Sequence, residues 1–203
     1  MATLALQNRI LSFWFHNTLG TVPAGSQLAF RKEWFMRSDE MDQTIIANFK
    51  APLDEAIQED KHIAELKQTP QGLLAAIILL DQFPRNVYRG TPQAFSGDAK
   101  ALSLTRYAMA EKLDVKLHAI ERLFVYLPLE HSEKREDQDK AVEQFEQLKK
   151  DTPEDPIMDL TLKYAVDHRD VIAKFGRFPH RNAILGRTST DEELRYLADG
   201  GGF

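Results

Sequence analysis

Arginine, histidine and asparagine crowd into three segments that are also rich in proline and aromatic residues. The first is Asp81-Gln82-Phe83-Pro84-Arg85-Asn86-Val87-Tyr88-Arg89. The second is Leu127-Pro128-Leu129-Glu130-His131-Ser132-Glu133. The third runs from His168-Arg169 through Phe175-Gly176-Arg177-Phe178-Pro179-His180-Arg181-Asn182 to Leu185-Gly186-Arg187. Guanidinium is always charged and offers a rigid fork of donors matched to carboxylate or phosphate oxygens. Stiff, partly apolar turns with convergent Arg, His and Asn suit a pocket for a small anionic molecule. On this reading Arg85, Asn86, His168, Arg177, His180, Arg181, Asn182 and Arg187 bind the ligand. His131, between Glu130 and Ser132 with Glu133 close behind, is the acid–base candidate, because a neighbouring carboxylate orients an imidazole.

A plainer account stands open beside it. Arg85, Arg177 and Arg181 can pair with Asp81, Glu130, Glu133 and Asp167 and pin loops to the body, while Arg and Asn cap helix-end carbonyls. Glu130, His131, Glu133 and His168 are acceptable metal ligands by type. No HExxH, paired Glu-x-x-His or aspartate-rich loop gives them ligand spacing, so no metal is expected. Gly-x-Ser-x-Gly and phosphate-cradling glycine loops are missing, and no cofactor is expected. The chain has no cysteine, which removes disulfides, thiolate nucleophiles and cysteine-based metal sites.

The elements that must position these segments are helical. The 203 residues fit one domain spanning 1–203, and 43% hydrophobic with 28% charged residues is ordinary for a globular chain. Offsets of three and four place Leu6, Ile10, Phe13 and Trp14 on one stripe between Leu4 and Phe15. The stretch Gly20 to Gly25 predicts a turn, Ser26 a cap, and Phe30, Trp34 and Phe35 the apolar face of the next helix. Asp39 and Asp42 open a helix carrying Ile45, Ile46 and Phe49. Pro52 predicts a break, or the first turn of a helix toward Leu66. Gln71 to Phe83 reads as a helix buried on most sides and ended by Pro84. A turn-rich stretch to Gly97 follows, and then a helix capped by Asp98. His118 to Leu127 is a short helix interrupted by Pro128, and Ser132 begins a charged helix to Lys150. Asp155-Pro156 starts another, Gly176 to Arg187 is irregular, and Thr190 with Glu193 forms a capping box. The tail from about residue 199 reads as flexible. The expected architecture is all-α, a single domain of antiparallel helix pairs.

The apolar run Leu73 to Leu80 is far shorter than the roughly 20 residues that span a bilayer. No signal-peptide pattern opens the sequence, so a cytoplasmic protein without a membrane partner is expected. A formal net charge of -5 argues against a nucleic-acid partner.

The strings LLDQFPRN (79–86), FVYLPLEHSE (124–133) and FGRFPHRNAILGR (175–187), with Trp34-Phe35 and Asp42 before them, resemble a bacterial family described as domain of unknown function 924. The resemblance covers nearly the whole chain. One departure is Leu66, where the family pattern has tryptophan. The resemblance implies an all-helical, tetratricopeptide-like superhelical arrangement and no agreed activity. It thereby adds a second expectation, a non-catalytic scaffold binding a protein or peptide partner. That expectation rests on fold analogy, whereas the unusual residues sit in turns rather than along helix faces.

Overall fold

The computed structural model describes residues 1–15 and 30–203. Helix α1 (Ala2–Phe15) buries Leu6, Ile10 and Trp14 along the expected stripe. The expected turn at Gly20 to Gly25 and the Ser26 cap lie outside the described residues. Trp34 ends a single 3₁₀ turn (Lys32–Trp34), flanked by Phe30 and Phe35, instead of the three lining a longer helix. Their rings cluster with Trp14 and Phe124. Helix α2 (Asp39–Glu59) follows Ser38, whose hydroxyl accepts from the Met41 amide.

Three prolines expected to end or interrupt helices do not. Pro52 lies inside α2. A proline there removes the hydrogen bond to the carbonyl four residues earlier, and that carbonyl, on Asn48, accepts instead from Arg9 of α1 at 2.8 Å. Pro128 lies inside α7 (Ala119–Glu130), which continues through it for two more residues. Pro84 is absorbed differently. After α3 (Ile63–Leu66) and α4 (Pro70–Ile77, capped by Thr69), the chain widens into a π-helical turn, Ile78–Gln82, and re-enters α-helix as α5 (Phe83–Val87). Pro84 thereby falls in a first helical turn, where a missing amide hydrogen is tolerated.

Every residue from Leu73 to Leu80 is fully buried. This post is packed by α1, by α2, by α6 (Asp98–Ala110) and by α7. Helices α8 (Arg135–Asp151) and α9 (Ile157–Phe175) stack in turn on α7, and connectors of a few residues make these neighbours antiparallel. The final helix, α10 (Asp191–Ala198), opens with the expected capping box between Thr190 and Glu193. No strand occurs among the described residues, so the fold is all-α. No described helix is long and apolar enough to cross a membrane.

Two helix starts differ from expectation because their side chains are used elsewhere. Asp98 is the first residue of α6 rather than its cap, and its carboxylate turns to Arg85. Ser132 precedes α8, accepting from the Lys134 amide and donating to Asp137.

Gly97, next to Asp98, lies against the π turn so closely that a Cβ there would sit 2.0 Å from the Leu80 carbonyl oxygen. The atom it would strike is buried backbone, which cannot swing aside. Gly97→Ala is expected to cost about 3 kcal/mol of stability, as overpacking does in a dense core. Urea denaturation of the two proteins measures this, and equal midpoints would refute the close approach.

Candidate functional site

The π turn presents Asp81 inward, fully buried at the centre of the polar cluster. His131, which follows α7, meets it with Nδ1 2.8 Å from the carboxylate. Arg85, one turn further along, donates to the Asp81 carbonyl, and its guanidinium stands 3.6 Å from the carboxylate. The same guanidinium reaches both oxygens of Asp98, at 2.9 and 3.3 Å. Burial pushes the Asp81 carboxyl up, but the His131 and Arg85 charges outweigh burial and hold it below the usual carboxylate range. Burial, with the Arg85 charge, lowers His131 against the pull of Asp81. An ionised Asp81 can only accept, so Nδ1 carries the imidazole proton and Nε2 keeps its lone pair. The carboxylate that orients His131 is therefore Asp81, from another segment, and not its neighbours Glu130 or Glu133.

The third segment closes over this pair. Phe178 donates its amide to Glu133 at 2.8 Å, and Arg187 grips the same carboxylate with two bonds of 2.8 and 3.0 Å. The 3₁₀ turn Pro179–Arg181 then drives Arg181 inward until only 7% of it is exposed. Its guanidinium carbon lies 4.6 Å from the Phe178 ring centre and 4.8 Å from that of Phe95. The aromatic rings take the faces of the cation and leave its in-plane donors over. Those donors make no hydrogen bond among the described residues, Nε being buried without a partner. The nearest carboxylate oxygen is the one of Asp98 at 3.8 Å. Burial and the Arg85 charge lower Arg181 to about 10, which leaves it charged at neutral pH. His131, Asp81, Arg85, Asp98 and Arg181 thus form one chain of contacts, drawn from all three segments and from the start of α6.

A second buried pair lies beneath. Glu130, the last residue of α7, is 3.1 Å from Nδ1 of His168 on α9, which donates to the Tyr164 carbonyl at 2.8 Å. Burial, reinforced by the Asp81 and Asp167 charges, raises Glu130 to about 8. Burial likewise lowers His168 to about 3 and, with the Arg181 charge, His180 to about 4. At neutral pH this is a protonated acid beside a neutral imidazole, not an ion pair.

Besides Arg187, which is held by Glu133, three more expected ligand residues are committed elsewhere. Asn86 donates to Asp42 in the first turn of α2, which Arg89 also holds with two bonds. Arg177 and Asn182 meet on Glu193 in the first turn of α10. The two similar strings, 83–86 and 178–182, are therefore built alike. In each, the asparagine and a second arginine clamp a helix-start carboxylate, and the central arginine turns to Asp98. Glu130, His131, Glu133 and His168 do not converge on one point. Among the described residues no group of three or more His, Asp and Glu could hold a metal.

Sequence reasoning named Asp81 only as a brace and Asp98 only as a cap. The one available signal for Asp81 was its spacing of four from Arg85, and nothing in the sequence marks Phe95 as one face of the Arg181 clamp. Gly200 to Phe203, expected as a flexible tail, lie folded back, with the Gly202 amide on the Tyr196 hydroxyl at 3.1 Å.

Residues 10–201 match the family described as bacterial protein of unknown function (DUF924), and the chain belongs to it. Its structure is similar to that of a protein of unknown function from Agrobacterium tumefaciens, with a TM-score of 0.81 and 32% identity. The alignment covers 98% of this chain and 99% of that one. None of the curated proteins matches.

Glu130 sets a pH dependence. Its folded pKa of about 8 lies above the ordinary value of 4.5, so folding takes up a proton between the two and stability falls as pH rises through that window. Glu130→Gln removes the loss. The variant's advantage in unfolding free energy over wild type, read from urea denaturation, should grow from pH 5 to pH 8 by on the order of 2 kcal/mol. An advantage that stays flat over that range would mean Glu130 is already ionised in the folded protein at pH 5.

Proposed function

We propose that the protein binds a small anionic molecule, carrying phosphate or carboxylate, against Arg181 and Arg85, with His131 beside it as the proton-accepting or proton-donating group. The observation that supports this is Arg181 itself. It is a buried cation, its faces are held by two rings, its in-plane donors are unused, and its nearest carboxylate already serves Arg85. A buried charge without a close partner is costly, and an oxyanion lying in the guanidinium plane would supply the missing acceptor. The rim remains within reach of solvent, since Arg85, Asp98, Glu133 and Arg187 each keep about a quarter of their side chains exposed. His131 Nε2 carries the lone pair that would take or return a proton. The scaffold reading has less behind it, because these residues converge on one buried point instead of spreading along a helix face.

Thermal denaturation with phosphate against chloride at matched ionic strength tests this reading, since a ligand that binds the folded state raises the midpoint. Wild type should respond to phosphate, and Arg181→Gln should lose the response with little loss of basal stability. Arg177→Gln is the contrasting variant. It takes from the Glu193 carboxylate its guanidinium partner, leaving Asn182 and the Thr190 amide, and should lower the midpoint while keeping the phosphate response. No phosphate response in wild type, or an equal one in Arg181→Gln, overturns the proposal.

A further inference from the structure

Beside Arg181 the third segment carries a flat seat that the anion alone would not fill. The Phe203 ring lies nearly parallel to that of His168, with 14° between the planes and 3.4 Å between centres. It meets Phe178 and His180 edge-on, at 6.1 and 6.0 Å. His168 is buried while Phe203 is half exposed, so the outer ring is a cover over an inner imidazole.

The cover is held by a short strap. The Gly201 amide donates to the Tyr196 carbonyl and the Gly202 amide to the Tyr196 hydroxyl, two anchors on one residue of α10. Glycine is needed for the strap to lie here: a Cβ on residue 201 would strike the Tyr196 ring at 2.5 Å, and Gly202 has φ +123°. A hydrocarbon ring also leaves something undone. Nδ1 of His180 is buried without a partner beside this seat, and Phe203 has no side-chain atom that can donate to it or accept from it. The seat and the anion donor share a wall, because Arg181 packs on the face of the same Phe178 that the Phe203 ring meets.

Resting on the anion reading above, we propose that this seat takes a nitrogen-containing aromatic ring belonging to the molecule whose anionic group Arg181 holds, and that Phe203 is its displaceable stand-in. The ligand class is a nucleoside monophosphate or a comparable heteroaryl phosphate. Its ring stacks on His168, a ring nitrogen or exocyclic group meets His180, and the phosphate lies in the plane of Arg181. Phe203 competes for the seat, so each binding event must first displace it.

Calorimetric titration of wild type and Phe203→Ala with adenosine 5′-monophosphate, ribose 5-phosphate and inorganic phosphate tests this. Phe203 is half exposed, so its truncation leaves the fold intact. Phe203→Ala should bind adenosine 5′-monophosphate about three- to tenfold more tightly than wild type, the worth of one aromatic stack. Ribose 5-phosphate and inorganic phosphate should bind both proteins alike. If all three phosphates bind but Phe203→Ala brings no gain for the ring-bearing one, the seat is not a ring site and the anion reading survives. If no phosphate binds either protein, the anion reading falls and takes this inference with it.

Discussion

A carboxylate sealed from water must be met by positive charge and donors, and Asp81 is such a carboxylate. It stands on the π turn in the middle of the most deeply buried helix, where no solvent can serve it. His131 and Arg85 come to it from two directions, and Asp98 balances Arg85 from a third. Gly97 has to be glycine so that Asp98 can stand that close. Arg181, arriving last in the chain, finds the nearby acids already engaged. Asp98 is held by Arg85 and Glu133 by Arg187, so in-plane donors of Arg181 stay unspent.

The architecture was legible in the sequence where periodicity and caps speak: the α1 stripe, the Thr190 box and the Asp155-Pro156 start all appear. Prolines misled, and for a consistent reason. Proline forbids one hydrogen bond and one close contact, but it does not forbid a helix whose orphaned carbonyl finds another donor or whose turn widens first. Those remedies come from Arg9 for Pro52 and from the π turn for Pro84, and neither is visible in a local window. The three unusual segments were legible as a set, because arginines crowded beside prolines and aromatics are rare, but the first of them folds as helix around Arg85 and Asn86 rather than as the expected turn. Their internal wiring was not. Glu130 and Glu133 sit beside His131 in sequence yet point away from it, since at the end of a helix adjacent residues face different directions.

The two clamps at the ends of the motif separate bracing from chemistry within near-identical strings. Asn86 with Arg89, and Asn182 with Arg177, each fasten the negative first turn of a helix, where a carboxylate is already favoured by the helix dipole. With those residues accounted for as fasteners, Arg85 and Arg181 are the arginines of the two strings that share Asp98.

The bond from Arg9 to the Asn48 carbonyl has a consequence for how the molecule opens. An ordinary helix keeps its hydrogen bonds to itself, so a neighbour can peel away and leave it intact. Here α2 has lent one acceptor to α1 at the place where Pro52 left it bare. Arg9 and Asn48 are both exposed, so when α1 detaches water can take the place of Arg9 on that acceptor, and the cost of opening is carried by the buried sides of Ile10 and Trp14. Helix α1 can therefore open while the middle of α2 keeps its helix, the lent acceptor passing from Arg9 to water.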